Sequence, residues 1–140
     1  MSAVIPDQGK IQFAIKSRDA SASEGWKIKL FQNDYTPDHT TTLAALTEAT
    51  FTGYAPVVLS GGTVAPSVDA GGRAVLTWNQ VSWTKNGGVG NQIYGYWVID
   101  GPGALLFAER ASTAPVRMAS DGDSLLITPQ LTDKSEFSNT

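Results

Sequence analysis

The strongest constraint on the fold is a succession of short apolar segments separated by turn-forming residues. The segments are rich in Val, Ile, Leu and aromatic residues, and Gly, Pro or Asp bounds each of them. This pattern is typical of short β-strands joined by tight turns, and it predicts a mostly β fold, an antiparallel β-sandwich or barrel. From residue 51 onward the segments are 51–59, 73–85, 92–100, 104–109, 115–119 and 124–131.

Two earlier segments, residues 10–16 and 26–30, alternate apolar and polar side chains. A period of two predicts a half-buried strand in each. Residues 17–25 between them are small and polar, so we expect a turn-rich connection that joins the two strands into a long hairpin. The apolar residues that carry the first alternation are Ile11, Phe13 and Ile15.

The apolar residues of segment 73–85 change parity near Asn79. Leu76 and Trp78 fall on even positions, whereas Val81 and Trp83 fall on odd ones. A change of face within one segment predicts a β-bulge or a bend between two sheets.

Residues 43–49 have the best helix-forming composition of the chain. We therefore expect one short helix near residues 42–49, although two turns are marginal without tertiary packing. The overall pattern predicts an extended N-terminal arm (1–9), a single β domain (10–131) and a polar C-terminal tail (132–140).

Composition and motifs argue against several kinds of chemistry. The chain has no Cys, which excludes disulfides, thiolate zinc sites and a cysteine nucleophile. Its single histidine, His39, follows Asp38 without a nucleophile motif, and the sequence Asp121-Gly122-Asp123 favours a turn over a calcium loop. We predict no enzyme and no catalytic, cofactor-binding or metal-binding residue. A net charge of −3 argues against nucleic acid as a partner, and no apolar run approaches the ~20 residues that span a bilayer.

Residues 93–99 are apolar on both faces of the predicted strand. Such a strand is either covered twice or lies at an interface, and we favour the interface because the predicted helix is too short to cover a second face. The Trp and Tyr side chains of the chain could form a sugar-stacking platform, but such residues are more often core or interface anchors. The interface candidates are Val4 and Ile5 in the arm, and Tyr94, Tyr96 and Trp97 in this segment.

Five sequence runs resemble those of small β-rich structural proteins of tailed bacteriophages. The resemblance extends over about residues 30–131, is one of pattern, and carries no catalytic residue across to this chain. The runs are LFQNDYTP (30–37), LTEATFTGYA (46–55), IYGYW (93–97), GALLFAER (103–110) and GDSLLITP (122–129).

The resemblance implies a structural role in the virion, after synthesis in the host cytoplasm. The leading expectation is an oligomeric capsid cement or decoration protein, with a trimer as the first arrangement to test. Its partners would be further copies of the chain and the major capsid protein or other virion proteins, bound through several weak contacts at once. The alternative is a tail, fibre or baseplate component with a receptor- or glycan-binding role.

Overall fold

The structure, a computed structural model, describes residues 3–59 and 66–133. Within these ranges the chain forms one α-helix and eleven short β-strands, and all strand pairs are antiparallel. The mostly β fold predicted from the sequence is therefore confirmed. The elements are α1 (Asp7–Glu24), β1 (Lys27–Phe31), β2 (Val57–Val58), β3 (Ser67–Val68), β4 (Ala74–Thr77), β5 (Val81–Thr84), β6 (Asn91–Ile93), β7 (Gly95–Ile99), β8 (Leu105–Arg110), β9 (Val116–Met118), β10 (Ser124–Ile127) and β11 (Gln130–Asp133).

Two bent β-ribbons form most of the fold. In the first ribbon, β4 pairs with β11 and β5 pairs with β10, and the Trp78 amide donates a hydrogen bond to the Pro129 carbonyl (3.0 Å) at the corner. In the second, β7 pairs with β8 and β6 pairs with β9, and the Ala111 amide donates to the Tyr94 carbonyl (2.9 Å). Strands β1 and β2 extend the second ribbon into a four-stranded sheet of order β2-β1-β7-β8, while β3 lies beside β4.

The main hydrophobic core receives side chains from both ribbons and from β1. Its largest members come from strands in all four small sheets, so one core holds the ribbons together. The members that are at most 4% exposed include Ile28, Leu30, Phe51, Leu59, Leu76, Trp78, Trp83, Ile93, Tyr96, Val98 and Met118.

The change of parity near Asn79 marks the corner of the first ribbon. Leu76 in β4 and Trp83 in β5 are both buried, although they lie on opposite parities, and the two strands belong to different sheets. The predicted bend between sheets is confirmed, because the exposed residues Asn79 and Gln80 turn the chain between the two strands.

The predicted strand at residues 10–16 and the turn-rich connection at 17–25 are wrong, because both lie in α1. The helix packs on β3 and β4 and buries only two small side chains, Ala14 and Ser21. Phe13 remains 53% exposed. The small residues let the helix approach the sheet closely, so tertiary packing outweighs the strand-like alternation. The helix ends at Gly25, whose φ of 67° is a left-handed conformation that favours glycine.

The predicted short helix near residues 42–49 is present only as a shorter element. Only Leu43–Ala45 form a single 3₁₀ turn. Beyond it the backbone pairs with the end of β1, since the Gln32 amide donates to the Thr47 carbonyl (2.8 Å) and the Ala49 amide donates to the Leu30 carbonyl (2.9 Å). These non-local hydrogen bonds replace the helical ones that a two-turn helix would make.

The domain boundaries shift at both ends of the chain. Since α1 begins at Asp7, the arm covers only residues 3–6 of the described chain. The predicted tail 132–140 begins inside β11, which continues to Asp133, and residues 134–140 lie outside the described residues.

Candidate interaction surface

A second, smaller hydrophobic cluster lies on the outer face of the four-stranded sheet. Phe31, Leu46 and Trp97 form its buried centre. Gly95 makes room for it, because a Cβ at that position would collide with the Phe31 ring. The loop of residues 32–49 contributes Leu46 to this cluster, and β7 is consequently covered on both faces by its own chain.

This coverage corrects two of the predicted interface residues. Tyr96 points into the main core and Trp97 into the second cluster, and each is only 4% exposed. Their rings are therefore interior anchors rather than parts of a subunit interface. Trp26, Trp78 and Trp83 are buried as well, which removes the tryptophans from any sugar-stacking platform.

The covering loop is fastened by an asparagine. The Asn33 side chain donates to the Ala45 carbonyl (2.8 Å) and accepts a hydrogen bond from the Thr47 amide (2.9 Å). The Gln32 side chain adds a bond to the Glu48 carbonyl (2.8 Å). The two ends of the loop are thus held together next to β1.

Polar groups at the end of this loop form a small network. The Tyr54 hydroxyl donates to one carboxylate oxygen of Glu48 (2.7 Å), and Lys29 lies 3.4 Å from the other. The Lys29 ammonium also lies 6.0 Å from the centre of the Trp97 ring. Burial and, after it, the bond to Glu48 raise the pKa of Tyr54, so its hydroxyl stays protonated and acts as a hydrogen-bond donor.

Tyr94 is the one aromatic interface candidate that keeps an accessible side chain. The Arg110 guanidinium lies 5.3 Å from the centre of its ring, within the range of a cation–π contact. Arg110 is itself held by Asp34 (2.7 Å) and by the Tyr35 carbonyl (3.1 Å). Tyrosine and arginine are both enriched among the residues that contribute most to binding at protein interfaces.

A groove of about 310 Å³ runs along β8. A β-bulge interrupts the ladder here, since Leu105 pairs with Ile99 and Phe107 with Val98, which leaves Leu106 as the extra residue. Leu106 is 39% exposed. One wall of this β8 groove is formed by Pro37, Asp38, His39 and Thr41, and the other by Leu105, Leu106, Phe107 and Ala108.

The second backbone edge of β8 is open within the ranges 3–59 and 66–133. The strand pairs only with β7 and ends the four-stranded sheet. An open edge offers unpaired backbone N–H and C=O groups that can pair with an added strand. The β8 groove, this edge and Tyr94 together form the candidate interaction surface.

The groove-wall residue Asp38 is hydrogen-bonded within its own loop. Asp38 accepts hydrogen bonds from the amide (2.7 Å) and the hydroxyl (2.6 Å) of Thr40, and these bonds lower the pKa of Asp38. The carboxylate therefore shapes the groove wall, and its bonds fix the loop.

The carboxylates of the turn at residues 121–123 also hold loops in place through hydrogen bonds. Asp121 accepts hydrogen bonds from the Gly87 amide (2.8 Å) and from the buried Lys85 ammonium (3.2 Å). Asp123 accepts from the Ala119 and Ser120 amides (3.0 and 2.8 Å). The sequence-based preference for a turn is confirmed, and both carboxylates serve to fasten loops.

The two arm candidates lie beside the start of α1. Val4 is 85% exposed, whereas Ile5 is half-buried against Gly9. Sequence reasoning missed Leu106 and the β8 groove, although the apolar pair Leu105–Leu106 within one strand was a signal that both strand faces carry apolar side chains.

Comparisons of the chain with models of protein families, with curated proteins and with solved structures find no significant match. Among the described residues there is no group of three or more His, Cys, Asp or Glu side chains placed to hold a metal ion. No helix in the described ranges is both long and apolar enough to cross a membrane.

Proposed function

We propose that the protein is a structural component of a tailed-bacteriophage virion, an oligomeric protein that binds the capsid shell and stabilises it. The virion assignment is supported by the sequence resemblance over residues 30–131. The observation that carries the assembly role is the open edge of β8 beside its groove. It combines free backbone groups with an exposed leucine, the two features that strand addition needs.

The exposed arm is a suitable partner for this edge. Val4 and Ile5 lie in an extended segment before α1, and an extended segment of one copy can add beside β8 of the next copy. Such a contact joins different surfaces on the two copies. Repeating it gives a closed ring when the rotation from one copy to the next is a whole-number fraction of 360°. A three-copy ring is the arrangement that we propose.

The second support is that aspartate side chains hold the turns of the chain by accepting hydrogen bonds from backbone amides. Asp69 accepts hydrogen bonds from the Gly71 and Arg73 amides (2.9 Å each), and Asp100 accepts from the Gly103 and Ala104 amides (2.9 and 2.8 Å). Carboxylates used in this way make rigid turns. Rigid turns suit a protein whose role is to present fixed surfaces to its neighbours, because little loop entropy is lost on binding.

The first test is the mass in solution, measured by light scattering after size exclusion. Three copies of the 14.8 kDa chain give about 44 kDa. Leu106→Lys places a charge on the open edge and is expected to shift the mass to that of a single chain. Val89→Lys is the matched control, because Val89 is exposed in a loop and lies outside the β8 groove. A wild-type mass of 14.8 kDa would contradict the ring.

The capsid role needs a test on particles. Capsids that lack the protein are expected to lose their contents at a lower temperature than complete capsids, and adding wild-type protein should restore resistance while Leu106→Lys should not. Equal heat resistance of complete and deficient capsids would contradict the cement function. Binding to purified tails instead of capsids would favour the tail, fibre or baseplate alternative.

A further inference from the structure

A recess of about 160 Å³ lies between α1 and the sheet formed by β4 and β11. Its lining is mostly apolar, with two hydroxyl-bearing side chains among the lining residues. It exists because the helix approaches the sheet through a small residue, Ala14, and leaves the space beside it unfilled. The residues that define it are Phe13, Ala14, Ser17, Leu76, Leu131 and Thr132.

The volume and lining of this recess fit a phenyl ring. Apolar protein cavities of about 150 Å³ bind benzene. Phe13 lines the recess yet remains 53% exposed, so the recess also leaves an aromatic side chain of the helix without full cover. An additional ring would bury apolar surface on both the helix and the sheet.

We propose that the α1 recess is the docking site for the side chain of Phe137 from the same chain. Two of the lining residues, Leu131 and Thr132, belong to β11, which ends at Asp133. β11 thus ends beside the recess, and in the sequence 134–140 that follows it Phe137 is the only apolar residue. Phe137 is five positions after Thr132, a chain length of up to about 17 Å, which is ample for a return to the recess.

A carboxylate in the segment and a lysine on α1 provide one complementary charge pair. Lys16 lies three residues after Phe13, on the neighbouring helix position, and is exposed. Glu136 directly precedes Phe137 in the sequence. A carboxylate next to the docked ring would thus meet a cation on α1. Docking would add a further attachment for the helix, which buries Ala14 and Ser21 and donates a hydrogen bond from Lys10 to the Gly72 carbonyl.

The test uses the full chain, the variant Phe137→Ala and benzene as the probe of an empty recess. Phe137→Ala is expected to melt at a temperature roughly 5 °C or more below that of the wild type, because the recess loses its occupant. Saturating benzene should raise the melting temperature of Phe137→Ala and leave that of the wild type unchanged. Ser138→Ala is the matched control in the same segment and should behave as wild type.

A second variant assigns the benzene response to the recess. Ala14→Leu fills the space from the helix side, so the double variant Ala14→Leu/Phe137→Ala should no longer respond to benzene. A response that persists would place the probe elsewhere and overturn the proposal.

Two further results would overturn it. An equal benzene response in wild type and Phe137→Ala would mean that the recess is empty in both. A difference between them that appears only at high protein concentration would mean that Phe137 docks on a second copy.

Discussion

The Ser21 hydroxyl links α1 to the main core. It accepts a hydrogen bond from the Trp78 indole N–H (3.0 Å) and donates one to the Arg18 carbonyl (2.6 Å). Ser21 is fully buried and Trp78 is 2% exposed, so water cannot take the place of either partner in this hydrogen bond. One small polar side chain thus satisfies a buried donor 57 residues away in the sequence.

Ser21→Ala is therefore expected to lower the free energy of unfolding by about 1–3 kcal/mol, since it leaves the buried indole N–H without an acceptor. Urea unfolding monitored by tryptophan fluorescence measures the change. Ser23→Ala is the matched control, because the Ser23 hydroxyl makes a similar bond to the Ala20 carbonyl but lies on the exposed side of the helix. Equal losses in the two variants would contradict the proposed role of Ser21.

Acid stability depends on carboxylates that hold turns. Hydrogen bonds lower the pKa of Asp69, mainly from the Arg73 amide, and that of Asp121, mainly from the Gly87 amide. A carboxyl group whose pKa is lower in the folded state contributes stability above its unfolded pKa of about 3.9, and this contribution is lost as the pH falls through the folded pKa.

We therefore expect the melting temperature of the wild type to fall as the pH is lowered below about 4. Asp69→Asn should lower the melting temperature at pH 7 and reduce its further fall in acid. Asp19→Asn is the control, because Asp19 pairs with Arg18 on the surface of α1. If the melting temperature of Asp69→Asn changes with pH as that of the wild type does, the Asp69 turn does not contribute to acid stability.

At the scale of elements, the loop 32–49 covers the second face of β7, which the predicted short helix was too small to cover. Its apolar residue Leu46 packs with Trp97, while the Asn33 side chain closes the loop at its base. The composition of residues 43–49 correctly indicated a helical tendency, which survives as one 3₁₀ turn. Residues 47–49 pair with β1 instead of continuing the helix, because two isolated helical turns contribute too little stability on their own.

Asn33→Ala is expected to open the loop and expose Trp97 to solvent, because two backbone groups lose their side-chain partners. The measurement is hydrogen exchange of the amides of residues 45–49, which should become faster while the amides of β4 stay protected. Thr36→Ala, an exposed position in the same loop, is the control. Unchanged exchange in Asn33→Ala would show that Leu46 and the hydrogen bonds to Gln32 and β1 hold the loop without Asn33.

The observed element boundaries agree with the apolar–polar pattern of the sequence where that pattern reflects burial on one face of a strand. Elsewhere they differ from it. The segment 26–30 corresponds to β1, because its alternation reports burial on a single sheet face. In α1, the alternation of Ile11, Phe13 and Ile15 does not report such a face. These side chains lie around the helix, and the contact with the sheet is made by Ala14 instead.

For the whole molecule, the arm and the β8 edge are the surfaces that we propose for assembly. From the sequence, Val4, Ile5 and Tyr94 are predicted interface residues, while Leu106 and the β8 groove became visible only when the strand order showed which strand ends the sheet. Strand order depends on contacts between distant segments, which one sequence does not encode in a local pattern.

Deletion of residues 1–5 is expected to leave the thermal unfolding curve of the β core little changed and to abolish the oligomer. The physical reason is that α1, which carries the contact with the core, begins only at Asp7. Circular dichroism and light scattering on the same samples measure the two effects. Val4→Ile/Ile5→Val is a control that keeps the arm apolar. Loss of the fold on deletion would show that the arm belongs to the core.

The sequence by itself determined the strand-rich class, the positions of most turns and the change of face at Asn79, because these features depend on neighbouring residues. Only the tertiary structure decided that residues 7–24 form a helix, that a loop covers Trp97, and that a recess remains beside Ala14. Each of these outcomes is set by contacts between distant segments, such as Ser21 with Trp78, whose energies outweigh the weak local preferences of the chain.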